Sequence, residues 1–365
     1  MKIVCQTTSL HNAFQIGGTV AQQRPTRPIL ADVLLSAKDG RLELQATDLE
    51  IGIRLNVQGV EIKEEGSAAI PQARVASILG ETADETVEIS TEDGHCRIIT
   101  SDSEFRLPTD VAEEFPELPT YDDSKAYEID RKDFVDMVKK TSFAAHKGKH
   151  RYALNGVLLV IKPGKMQMVA TDGRRLAHIE KKTKNPAGTE VAVIVPTKAL
   201  DEIIKVLGDE DVKIGINVSE SQLVAKTAQA VVSTRLVEGH FPPYESVIPK
   251  DHDRKVDLNR DKLHSAVRRA ALLTSQDSSA VNLCFSKDSL EVRSAAPETG
   301  EARVKLAVEY SGPAVEMGFN PEFLTEFLRV LEEETVRLEF RDAASAGLFR
   351  SGKDFLYVVM PVSRE

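Results

Sequence analysis

His146 and His150 lie four residues apart, and Asp48 and Asp172 each follow an Ala-Thr pair. Imidazoles and carboxylates are the groups that move protons near neutral pH, so these four are the candidates for an acid–base site. The run "TDGRR", residues 171–175, sets two guanidiniums beside a glycine turn, a combination suited to phosphate. Three absences argue against an enzyme. The chain has no glycine-rich phosphate loop, no nucleophile elbow and no HExxH helix. Histidines in a lysine-rich segment are also more often solvated than catalytic.

The spacing of the two aspartates offers a simpler role. "QATDLEIGIRLN" (45–56) and "VATDGRRLAHIE" (169–180) place the same Ala-Thr-Asp triplet 124 residues apart. Another 124 residues leads to Ser294 in "LEVRSAAPETG", where Ala296 takes the aspartate's place. A catalytic group is needed once, whereas a turn group recurs and is replaceable. Asp48 and Asp172 are therefore expected to close turns by bonding their own backbone.

The elements that carry these turns repeat as well. Val33, Val157 and Val281 each open an apolar strand, and "DETVEI" (84), "DEDVKI" (209) and "EETVRL" (333) each put an acidic turn before an alternating strand. Leu10/Ala13/Phe14, Phe134/Met137/Val138 and Leu263/Ala266/Val267 have helical spacing, with Asp130 and Asn259 placed as N-caps. A second helix is expected to start near Pro71, Pro196 and Pro321, with Ile78/Leu79, Ile203/Ile204 and Phe327/Leu328 on its apolar face. The fold class is α+β, in three pseudo-repeated domains of two helices each: 1–120, 127–247 and 252–365. The seams are the Pro-rich, polar stretches 116–130 and 242–257.

A chain of 365 residues needs more than one core. The longest apolar runs, such as "VLLVI" (157–161), are of strand length, and the N-terminus makes a poor secretory signal. Cys5, Cys96 and Cys284 are too scattered for a zinc site or a disulfide framework, so no metal is expected and a cytoplasmic home is the simplest.

A net charge of −10 speaks against nucleic acid only if the charge is evenly spread. It is not. Residues 137–171 contain no Asp or Glu, yet hold Lys139, Lys140, Lys147, Lys149, Arg151, Lys162 and Lys165. Arg74, Lys198, Lys205, Lys262, Arg268, Arg269 and Arg329 fall on the other expected helices, and Arg24 lies in the loop "QQRPTRPIL". If equivalent helices face one way, they form one basic surface able to hold phosphates without reading bases. Trp is absent, so stacking on single strands is disfavoured. About 6–10 phosphate contacts lose roughly 10³–10⁵ in affinity between 50 and 200 mM salt, so lasting retention is better achieved by enclosing the duplex.

With those residues in view, the chain resembles the beta sliding clamps of DNA polymerase III over nearly its whole length. The resemblance rests on "RPTRPIL" (24–30), "ATDLEI" (46–51), "YALNGVLL" (152–159), "VATDGRRLA" (169–177), "HFPPYESVIP" (240–249) and "YVVMPV" (357–362). It implies antiparallel sheets outside, helices inside, and a head-to-tail dimer closing a six-domain ring on double-stranded DNA without regard to sequence. It implies a processivity factor with no catalytic residue and no cofactor, opened by a separate clamp-loader complex. The implied partners are a second copy, the replicative polymerase alpha subunit and other clamp-binding-motif proteins, with no membrane. The implied DNA contacts are Arg24 and Tyr152. Arg74, Lys147, Lys149, Arg151 and Lys198 join them from charge and placement.

The implied partner-peptide groove comprises Leu154, Thr171, Gly173, Arg175, Leu176, Pro242, Val247, Val358, Val359, Met360, Pro361 and Val362. In it Thr171 is expected to serve the groove while Asp172 holds the turn, and alternate residues of 357–362 are expected to face groove and core. The implied dimer seam sets Phe105 and Leu107 against Leu272 and Leu273, with Glu298 and Glu301 opposite Arg74 or Arg97. Arg174, Ser246 and Ala153 depart from residues common in the family. A monomeric peptide-binding scaffold is the other non-enzyme reading.

Overall fold

Helical periodicity produces six α-helices among the described residues: α1 (Thr7–Gly17), α2 (Gln72–Glu81), α3 (Arg131–Thr141), α4 (Thr197–Lys205), α5 (Arg260–Ala271) and α6 (Pro321–Arg329). The computed structural model describes residues 1–21, 25–148, 152–185, 190–208, 212–274 and 280–362. The first helix of each repeat buries the expected triplet. Asn259 caps α5 by accepting from the Lys262 N–H at 3.0 Å.

The second helices differ in detail from expectation. Only Pro321 occupies the first helical turn, behind an Asn320 cap that accepts from the Glu322 N–H at 2.8 Å. Pro71 and Pro196 instead end the preceding strands, one residue before α2 and α4 begin. Ile78 and Ile204 are half-buried, because the inward faces run through Val75/Leu79 and Leu200/Ile203.

Contacts gather the chain into two compact units that do not coincide with the three sequence repeats: Met1–Lys132 with Lys198–Leu236, and Asp133–Thr197 with Val237–Glu365. Every named strand pairing in either unit is antiparallel.

In the first unit a five-stranded sheet runs Val60–Glu64, Lys2–Gln6, Thr86–Glu92, His95–Ile99, Glu104–Pro108. An eight-stranded sheet joins strands of the first and second repeats where Ile51–Val57 pairs with Ala230–Arg235, Ile53 opposite Val232. Helix α1 lies on this sheet and against α2, burying Leu10 and Phe14 completely. Full burial of such a side chain stabilises by about 1.5–3 kcal/mol.

The second unit repeats the plan. Its eight-stranded sheet joins the second and third repeats where Arg175–Lys182 pairs with Phe355–Val359, and a four-stranded sheet runs Gly300–Ala307, Ser289–Ala296, Val281–Ser286, Val315–Phe319. Helix α5 packs against α6 and under the four-stranded sheet. Each eight-stranded sheet is thus shared between two neighbouring repeats.

Cys5 and Cys96 are core residues whose thiols burial pushes up to about 12, and Cys284 is half-buried. All three are free.

Candidate functional site

The two Ala-Thr-Asp turns fold bond for bond alike. Thr47 Oγ1 donates to the Ile51 carbonyl at 2.9 Å and accepts from the Leu49 N–H at 3.0 Å. Thr171 Oγ1 donates to the Arg175 carbonyl at 2.6 Å and accepts from the Gly173 N–H at 3.1 Å. Asp48 Oδ1 accepts from the N–H groups of Glu50 and Ile51, and Asp172 Oδ1 from those of Arg174 and Arg175. Both carboxylates are structural, as the repeat predicts. Thr171 is buried, and its hydroxyl is used inside the turn beside Asp172.

Arg175 is held on several sides. Its side chain is buried, donates to Asp172 at 3.0 Å, to Glu326 and to the Phe143 carbonyl at 2.8 Å, and stacks 4.3 Å from the Phe323 ring centroid. It ties the turn to α6. Sequence reading missed Glu326, because only the fold brings a carboxylate 151 residues away to this guanidinium.

Beside the turn, Leu176 faces Val358 across the strand pair, and both join an apolar cluster with Leu158, Val169, Tyr244 and Leu348. Tyr357, Val358 and Val359 are all buried, with Tyr357 turned toward α6 and Val358 toward the Leu158–Tyr244 cluster. Tyr357 stacks on Phe327 at 4.5 Å, and its hydroxyl donates to the Phe323 carbonyl at 3.0 Å. Apolar exposure begins where the strand ends. Met360 is 45 % exposed and Val362 40 %, Val247 is 48 % exposed, and Gly173 and Pro242 are also exposed. Leu154 and Pro361 are half-buried. The Met360 N–H donates to the Arg174 carbonyl at 2.9 Å, which fixes the strand end to the turn.

The basic segment is only partly free. Lys140 is buried against Asp136 at 3.0 Å, Lys165 pairs with Glu180 at 2.9 Å, and Lys147 reaches Glu326 at 3.4 Å. Lys139 is exposed. In the first unit Arg74 is exposed on α2, Lys198 is held by Asp48 at 2.7 Å and Lys205 by Glu202 at 2.8 Å. The densest cationic face lies on α5 and α6, where Lys262, Arg268, Arg269 and Arg329 are all exposed. His264 between them is held below its ordinary pKa, first by burial and then by Arg268 and Arg329. Arg24, Lys149, His150 and Arg151 lie outside the described residues, and Tyr152 opens a 3₁₀ turn, Tyr152–Leu154.

Three domain families of the DNA polymerase III beta subunit match in order: N-terminal at residues 1–119, central at 128–243 and C-terminal at 245–363. The chain belongs to the DNA polymerase III beta subunit, or beta sliding clamp, family. It is 32% identical to the beta sliding clamp of Chlamydia trachomatis over 99% of this chain and 87% of the relative. It is 31% identical to that of Pseudomonas aeruginosa over 99% and 100%. The crystal structure of the Pseudomonas aeruginosa clamp bound to griselimycin matches with a TM-score of 0.95 at 31% identity, covering 100% of both chains. The Bacillus subtilis clamp matches with a TM-score of 0.96 at 26% identity, again covering 100% of both. The chain therefore folds as three clamp domains of helices and antiparallel sheets, and its role is that of a DNA sliding clamp, a non-catalytic processivity factor.

The residues expected at the seam lie on one sheet edge and at one helix end. Glu104–Pro108 is an edge strand with Phe105 exposed and Leu107 half-buried. In the second unit Gly300–Ala307 is an edge strand, and nearby Leu272, at the end of α5, is 77 % exposed while Leu273 is half-buried. Arg97 is paired with Glu104 at 2.6 Å and Glu301 with Arg303 at 3.0 Å, so neither is a free charge within one chain. No helix among the described residues is long and apolar enough to cross a membrane.

Proposed function

We propose that two copies of this clamp close head to tail around double-stranded DNA and tether partners through the apolar end of the C-terminal strand. The observation carrying the tether is the exposure of Val247, Met360 and Val362, with Met360 tied through its N–H to Arg174 of the turn that Thr171 and Asp172 lock. Large aliphatic groups left in water at a strand end mark an interaction surface, and a flexible Met adapts it to several partners. The ligands are short peptide segments carrying a Gln and a hydrophobic end, from the replicative polymerase alpha subunit, the clamp-loader complex and other clamp-binding-motif proteins. Leu176 and Val358 form the floor, and Leu154, Gly173, Pro242 and Pro361 the walls.

Lys147, Lys149, Arg151, Arg74, Lys198, Arg24 and Tyr152 are the DNA-facing set, and the α5–α6 cations extend it. The seam pairs Phe105 and Leu107 with Leu272 and Leu273 of the second copy, which removes two exposed edges at once. The clamp acts in the cytoplasm.

The test is topological. Clamp loaded on nicked circular DNA stays bound through high salt, and one cut in the circle releases it. Release that is the same from circular and linear DNA would refute encirclement. Loss of everything from Met360 onward abolishes binding of a Gln-hydrophobic peptide while circular DNA is still retained; undiminished peptide affinity refutes the tether.

A further inference from the structure

The 124-residue repeat extends to what surrounds each turn. In the second unit Arg175 pairs with Val359 and Leu176 with Val358, and the Met360 N–H donates to the Arg174 carbonyl at 2.9 Å. In the first unit Ile51 pairs with Thr234 and Gly52 with Ser233, and the Arg235 N–H donates to the Glu50 carbonyl at 2.9 Å. The backbone layout is the same. The side chains are not: Leu176, Val358, Val359 and Met360 correspond to Gly52, Ser233, Thr234 and Arg235.

The preceding linkers correspond too, "FPEL" (115–118) with "FPPY" (241–244). Leu118 packs where Gly52 has no side chain; a Cβ on Gly52 would come within 2.6 Å of Leu118 Cδ2. Over this floor lies a cavity of about 350 Å³, lined by Leu49, Glu50, Ile51, Glu117, Leu118 and Arg235 among others. That is the small end of the roughly 300–1,000 Å³ range of ligand clefts.

Two observations mark this cavity as more than a relic. Leu49 holds a left-handed backbone, φ +75°, where the second turn has Gly173 at φ +90°. A branched side chain in that region is strained, yet here it is kept 41 % exposed at the cavity mouth. Glu50, Glu117 and Arg235 are exposed, and none has an ion-pair partner among the described residues. Two carboxylates and one guanidinium leave the rim with one net negative charge.

We propose that this cavity is a second peptide-docking site, for an extended segment that offers a lysine or arginine side chain to Glu50 and Glu117 and an aliphatic side chain to Leu49 and Leu118. The Arg235 guanidinium donates to the segment's backbone carbonyls. Apolar partners favour the second-unit groove, where Val and Met stand in place of Ser, Thr and Arg, so the two sites select different ligands.

Methyl NMR of the full-length clamp tests this with the capped tripeptide acetyl-Lys-Leu-Lys-amide. The peptide shifts the methyl signals of Leu49 and Leu118 saturably and leaves those of Val247 and Met360 in place. Glu50→Gln combined with Glu117→Gln weakens it about fivefold, as expected for two exposed ion pairs. The neutral acetyl-Ser-Leu-Ser-amide binds the native protein more weakly by a similar factor. Absence of a saturable Leu49 shift up to about 10 mM, well above the millimolar weak-binding range, overturns the site. So does unchanged affinity in the double variant. Binding of a Gln-hydrophobic peptide is read at Val247 and Met360 in the same spectrum, so the two sites fail separately.

Discussion

Asp172 grips Arg175 twice: Oδ1 accepts from its backbone N–H at 3.1 Å and Oδ2 from its Nε at 3.0 Å. In the first turn the corresponding residue is Ile51, which offers only its backbone, at 2.7 Å. The second oxygen of Asp48 is therefore left over, and Lys198 takes it at 2.7 Å. The exchange of Ile51 for Arg175 at equivalent positions of the two turns decides whether the aspartate's second oxygen holds its own strand or restrains a surface cation.

Arg175→Ala is expected to destabilise the clamp by about 3 kcal/mol, because it strands the part-buried carboxylates of Asp172 and Glu326. Glu326→Gln, which keeps an acceptor for the guanidinium, costs about 1–2 kcal/mol. Urea unfolding measures both. Equal losses below about 0.5 kcal/mol, typical of surface substitutions, would mean that the cluster is not a structural tie.

Asp48→Asn keeps the turn acceptor and releases Lys198. The expected result is about twofold tighter binding to duplex DNA at low salt, since one acid is removed beside a cation assigned to DNA. Fluorescence anisotropy across a salt series reads it. Affinity unchanged at every salt concentration would place Lys198 away from the DNA.

Asp32 is buried, with the Asp110 carboxyl facing it, and burial first and Asp110 second push its pKa up to about 7. The folded state then binds more protons than the unfolded state between the ordinary carboxylate range and about 7, so this group's contribution to stability falls as pH rises through that window. Asp32→Asn removes the penalty. It is expected to raise stability by roughly 1–2 kcal/mol at pH 8 and by little at pH 5. Denaturant midpoints at the two pH values check the sign; a gain confined to pH 5 would reverse it.

Leu272 stands 77 % exposed beside an open sheet edge. Leu272→Ala with Leu273→Ala is expected to shift the clamp toward monomer by about 2–4 kcal/mol of association free energy, the scale of two interface anchors. Sedimentation at several concentrations measures it. An unchanged dimer would move the seam elsewhere.

Most of the fold was legible because each repeat carries the same periodicities in the same order, and three imperfect copies reinforce one another. The helix triplets Leu10/Ala13/Phe14 and Leu263/Ala266/Val267 are core in the structure, and both aspartates close turns. The surfaces were less legible. Lys140 and Lys147 look alike in sequence, yet one is buried on Asp136 and the other is exposed. The C-terminal strand, Phe355–Val359, is a continuous apolar run covered on both faces, because α6 brings Phe327 onto one side while Leu158 and Tyr244 lie on the other.

By itself the sequence determined the three α+β repeats, the turn chemistry and the uneven charge, since these depend on spacing along the chain. Which carboxylate meets which cation, and which apolar strand end stays in water, was decided only by tertiary structure. Coulombic pairing and burial act through space, between residues as far apart in sequence as Arg175 and Glu326 or Asp48 and Lys198. No local pattern records a distance that only the folded sheets create.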